Sequence, residues 1–250
     1  MSDNPVVTAS PSAPGSAAPA DNLAARLVGV IFSPHETFTR IVARPRWIGA
    51  VVTVTLVVTA ITILFFRTEV GQTALLDQQV RQMENFGMQI SAEQYDQMEQ
   101  GIGFSANLTG LAPLVSIPIF TLVISGILYA VFNALLGGSA TFRQVAAVVA
   151  HGGAISIVQH LFVTPLNYAR GSLAGATNLG VFVPFLDEGN FIARFLGAID
   201  LFIVWSLVVT AIGLGVLYHR RATSIFWSFM GIYVVIALVI ALVMRASGGA

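Results

Sequence analysis

Four polar residues within one apolar run could do chemistry together: Ser156, Gln159, His160 and Thr164, in the stretch HGGAISIVQHLFVTP. Ser156, His160 and Thr164 follow i, i+4, i+8 spacing, and Gln159 falls only about 60 degrees from Ser156 on a helix. Polar groups are expensive to bury in lipid, so such a stripe is a natural lining for a solute, ion or proton path. The same groups serve as interhelical glue, with Gly152 and Ser156 forming a small-xxx-small pair that lets helices approach. The glue reading is favoured, with hydrogen bonds from the stripe to Ser116 or Ser125 as its expected form. His151 stands apart, because nine residues place it about 180 degrees from His160. One helix cannot offer both imidazoles to one metal ion, and no metal site is expected. Asp200, directly ahead of the apolar Leu201, is placed to cap a helix, where a carboxylate meets free N–H groups and the positive end of the dipole. The competing reading is an ion or proton ligand, with Arg194 or His160 as partner.

These residues sit in a chain written for lipid. Hydrophobic residues make up 56% and charged residues 10%, against roughly 25% charged in ordinary soluble domains. Runs long enough to span, about 20 residues free of Arg, Asp and Glu, occupy 47–66, 111–136, 144–165, 201–218 and 225–244. The fold class is therefore all-α integral membrane, with five transmembrane helices in residues 47–244. The 12 acidic and 12 basic residues cancel, and every basic one is arginine, which removes the electrostatic footprint of a nucleic-acid binder. The absence of cysteine excludes thiolate metal sites and a cysteine nucleophile. No zincin, nucleophile-elbow, phosphate-loop or EF-hand pattern occurs. Neither a catalytic residue nor a cofactor is expected.

Residues 1–20 read as a disordered Pro/Ala/Ser tail, without the basic and apolar regions of a signal peptide. The segment 21–46 reads as two short amphipathic helices, the first opened by Asp21 with Leu23, Leu27 and Val30 on one face. The second begins in FSPHETFTRIVARPRW: Ser33 as N-cap, Pro34 at the first position and Glu36 completing a capping box. That reading accounts for His35–Glu36 without an active site. Both helices are expected to lie on the bilayer, with Arg26, Arg40, Arg44 and Arg46 on lipid headgroups. Arginines crowd the flank of the first span, which places the N-terminus in the cytoplasm and the C-terminus, with its tail 245–250, outside. On the outer face, 73–100 reads as a helical hairpin, with a C-cap at Gly87 and a capping box from Ser91 to Gln94 that opens a second arm ending near Gln100.

Three blocks give the chain a family likeness. Phe32 to Trp47, TFRQVAAVVAHGGA (Thr141–Ala154) and IDLFIVWSLVVTAIGLGV (Ile199–Val216) together resemble the bacterial branch of the Yip family of five-span membrane proteins. The likeness implies residence in the cell (inner) membrane and a membrane-organising, scaffold or trafficking-type role. It supplies no catalytic motif. Eukaryotic members associate with small GTPases, and the short tail here, in place of a long cytoplasmic domain, argues against GTPase binding. The expected partners are the lipid bilayer and a second copy or another membrane protein. A small transporter or channel using the third-span stripe is the alternative.

Overall fold

A computed structural model describes residues 22–85, 87–186 and 190–247. The expected tail 1–20, Asp21, and residues 248–250 of the C-terminal tail lie outside them. The described residues are mostly helical: α1 (Leu23–Phe32), α2 (Pro34–Ala43), α3 (Ile48–Phe66), α4 (Glu69–Asn85), α5 (Ala92–Leu111), α6 (Pro113–Tyr129), α7 (Phe142–Gly152), α8 (Ala154–Arg170), α9 (Phe191–Gly197), α10 (Leu201–Tyr218) and α11 (Ala222–Ser247). A π-helical turn, Ala130–Leu135, ends α6. Among the described residues five helical stretches are long and apolar enough to cross a membrane: α3, α5 running on through α6 and the π-helical turn, α7 with α8, α10, and α11 as far as Val243.

The centre of the bundle is α7. Val145, Ala146, Ala147, Val148, Ala150, His151 and Gly152 are all buried. Its small side chains let α2, α3, α6 and α10 close around it. Thr141 and Gln144 form a capping box at its start, a signal that the expected boundary at 144 overlooked. The third span is longer than its apolar run, covering 142–170, and breaks at Gly153, where a Gly–Gly pair offers little resistance to a bend. Pro165 does not end it. The helix continues to Arg170 and stops on Gly171, which has a positive φ.

The helices expected on the bilayer surface bury one face in the protein core, while Val28 and Phe32 of α1 stay 54% and 80% exposed. Val30, Phe38 and Ile41 have no exposed surface and Leu27 has 8%, because α2 lies across α10 and α7 while α1 packs on α8, α7 and α3. A glycine makes room for this: a Cβ at Gly213 of α10 would stand 2.5 Å from Val148 and 3.1 Å from the Phe38 ring. The caps also differ from expectation. Asn22, rather than Asp21, caps α1 by accepting from the Ala25 amide at 2.7 Å. The Ser33 side chain makes no capping bond. Its amide is already committed to Gly29 O at 2.7 Å as the end of α1, so Glu36 has no donor to reach back for.

Beyond α3 the chain makes the expected pair of helices, α4 and α5. Gly87, with φ 78°, ends the first, and the Ser91–Gln94 capping box opens the second. The second arm does not stop near Gln100. It continues through Leu111 and passes into the second span, because Pro113 stands at the first position of α6, where a missing N–H costs nothing.

Candidate functional site

Three groups of polar side chains draw the eye, and each is assembled from a different part of the chain. Asp200 is the hub of the first. Its Oδ1 accepts from the Phe202 and Ile203 amides at 2.7 and 3.2 Å, and Oδ2 accepts from the Thr177 hydroxyl. Its own amide donates to the Tyr233 hydroxyl at 2.9 Å, which in turn donates to Ala198 O at 2.9 Å. Thr177 O accepts from the Leu201 amide at 3.0 Å, and Ile199 O from that of Leu179 at 2.9 Å. The carboxylate therefore caps α10 while fastening the loop that follows α8 to the head of α10, and the backbone at Ala198 and Asp200 is tied to the middle of α11 through Tyr233. No hydrogen bond joins Asp200 to His160 among the described residues. Neither Thr177, a lone threonine in a Gly/Asn-rich loop, nor Tyr233, within an apolar span, carries a local signal of this role.

The second group is the stripe on α8. Ser156, Gln159, His160 and Thr164 are all half-buried. His160 Nδ1 lies 2.7 Å from Ser156 O, and the Ser156 hydroxyl donates to Gly153 O at 2.7 Å. A carbonyl can only accept, so Nδ1 carries the proton in His160. Both side chains thus bond back onto their own helix. Among the described residues no bond links the stripe to Ser116 or Ser125; the buried Ser125 hydroxyl donates to Thr121 O at 2.6 Å. Ser156 alone of the four lines a groove of about 300 Å3, which Val51, Val54, Ser116, Phe120 and Gly153 help to wall. Gly152 faces Thr210 of α10, so the break at Gly153 separates the small-xxx-small pair into two interfaces. His151 is fully buried, with Nδ1 2.8 Å from Ala147 O and Nε2 unpartnered, as are the Thr55 and Thr59 hydroxyls.

The third group is the arginines at the end of the bundle where α1 and α2 lie. Arg26 is only 3% exposed and donates from Nη1 to Arg44 O, the C-cap of α2, at 3.0 Å. It is withdrawn from headgroups, a correction to the expected lipid contact, because the carbonyls and dipole at the end of α2 hold a cation there. Arg143 Nε donates to Pro45 O at 2.8 Å and Arg220 Nη2 to Leu136 O at 2.9 Å. Gln144 reaches Val42 O at 3.5 Å. This end is thereby laced from side chain to backbone across segments far apart in sequence. Arg40 is half-buried with Nη2 3.4 Å from the Thr37 hydroxyl, while Arg44 and Arg46 are exposed.

Among the described residues no group of three or more His, Cys, Asp or Glu is arranged to hold a metal ion. In comparison with known proteins, a family model described as the Yip1 domain matches residues 28–244. No curated protein and no solved structure matches the chain.

Proposed function

The chain belongs to the Yip1 domain family, and from that premise we propose that it is a noncatalytic membrane-organising protein, a scaffold or assembly factor of the inner membrane. The observation that carries this reading is the use made of the polar side chains. Asp200 is consumed by a helix cap and a loop fastening, and Ser156 and His160 are turned onto their own backbone. Groups committed in this way hold a shape. The partner is a second copy or another membrane protein, and Arg44 and Arg46, both exposed, meet anionic headgroups. The arginine-laced end faces the cytoplasm, following the asymmetry of charge about the first span.

The test is affinity purification in mild detergent with crosslinking, run beside solute and ion flux in liposomes. A reproducible protein partner or a defined oligomer is expected, with flux at the level of empty vesicles. Flux that disappears in His160→Ala or Asp200→Asn overturns the reading. In that case transport along the stripe takes its place, since Ser156 already lines the groove beside Ser116. Orientation is checked separately: the chain has no cysteine, so single cysteines at Arg46 and Gln100 can be labelled from outside intact cells. Labelling is expected at 100 and not at 46.

A further inference from the structure

The π-helical turn at the end of α6 and the first half of α11 stand apart, since α11 packs on α10 and α9. The cleft between them measures about 510 Å3. Its walls differ by depth. Arg220 and Arg221 line it at the loop end, beside Leu136, and Ser224, Ser228, Phe229 and Ile232 line it further along α11. From Arg221 to Ile232 is eleven residues, or about 16 Å of helix, close to half of a hydrocarbon core of about 30 Å. The cleft therefore runs the depth of one leaflet, charged at the loop end and apolar below.

The loops at this end, 137–141 and 219–221, contain no carboxylate. Arg220 spends one donor on Leu136 O and has others to offer, since a guanidinium carries five N–H groups. The Arg221 guanidinium is exposed and makes no hydrogen bond or ion pair among the described residues. Two guanidiniums at the head of an apolar slot one leaflet deep match an acidic headgroup joined to an acyl chain. A soluble anion would use the head and leave the slot empty.

We propose that this cleft holds one anionic phospholipid from the leaflet on the α1–α2 side, its phosphate on Arg220 and Arg221 and one acyl chain between the π-helical turn and α11. The site is independent of the scaffold reading and of the arginines on α1 and α2. Bound there, the lipid fills the gap between the second and fifth spans and gives α11 a further neighbour beside α10 and α9.

The test uses the full chain in mild detergent, titrated with phosphatidylglycerol, with phosphatidylcholine, or with inorganic phosphate, and read by native mass spectrometry. The first is expected to give one retained lipid per chain and the other two none. Arg221→Gln should lower occupancy about fivefold, the weight of one arginine at an anionic surface, and Arg221→Lys should restore most of it. Ser228→Trp, which fills the slot and leaves the charge, should also lower occupancy. Arg220 is left intact because its variant also loses the bond to Leu136. Equal retention of the two lipids, binding indifferent to Arg221→Gln and Ser228→Trp, or saturable phosphate binding that displaces phosphatidylglycerol would each overturn the proposal.

Discussion

Two pairs of helices flank the first span, α1–α2 before it and α4–α5 after it; both leave apolar residues exposed, Phe32 of α1 at 80% among them, and they differ in how their inner faces are buried. In the first pair, Val30, Phe38 and Ile41 are completely buried among the side chains of the second to fifth spans. In the second, α4 buries Ala74, Leu75 and Leu76, but α5 leaves Phe104 77% and Leu108 62% exposed. Both pairs look amphipathic in sequence. What separates them is the surface each meets. The first pair meets α7, rich in alanine, and α10 at Gly213, where backbones approach closely enough to grip a phenyl ring. The second meets mainly the C-terminal end of α3, where Phe65, Phe66, Leu75 and Ala106 make a small separate cluster. An apolar face calls for a partner without saying whether it is lipid or protein. Small residues on the facing helix decide that question.

The contrast makes the first pair the costly one to damage. Phe38→Ala should cost about 3–5 kcal/mol, the range for removing a fully buried phenyl group, and should appear as a large fall in the unfolding midpoint in detergent. A shift no greater than that of an exposed control such as Phe104→Ala would mean that α2 lies on the bilayer after all. Arg26→Gln comes next. It removes a charge-assisted bond to the end of α2, worth about 1.5–3 kcal/mol, and should raise proteolysis between α2 and α3. Because Arg26 is 3% exposed, its loss should be insensitive to the anionic lipid content of the vesicle. A strong dependence on that content would return Arg26 to the headgroups.

The five spans were legible in the sequence because hydropathy and length suffice in lipid, where every backbone group must be satisfied within the helix. Ends were legible where a local capping pattern wrote them, as at Ser91 and Asp200. Local patterns failed where two helices share a residue: Ser33 ends α1 and begins α2, so its amide could not serve the capping box its neighbours spell. Arg26 was misread for a different reason. The asymmetry of arginines reports which end of the bundle they occupy, and is silent on whether a carbonyl such as Arg44 O, 3.0 Å away, claims one of them. Thr177 and Tyr233 depended on long-range contacts with Asp200 that no spacing in the chain records.

The mildest change sharpens the comparison from the other side. In α4–α5 the cap is local: Ser91 accepts from the Gln94 amide at 3.3 Å and its own amide donates to Gln94 Oε1 at 2.9 Å. Ser91→Ala should cost about 0.5–1 kcal/mol, all of it in the first turn, since α5 is anchored further on by Ala106 and by its continuation into the second span. Hydrogen exchange should quicken at Gln94 and Tyr95, with the global midpoint unchanged. Glu93, fully exposed beside this cap, supplies an independent reading. Its carboxyl is held below the usual glutamate range, first by its own backbone N–H and then by the Ser91 hydroxyl. A depressed folded value means that the carboxylate favours the helix start above the ordinary glutamate pKa, and that this contribution fades as pH falls through the lowered one. Ser91→Ala removes the second cause and keeps the first, so the Glu93 titration should move part of the way back up. A global loss of stability would show that α4–α5 is tied into the bundle as firmly as α1–α2 and that the two pairs do not differ, while an unmoved Glu93 would show that the Ser91 hydroxyl does not hold its carboxylate.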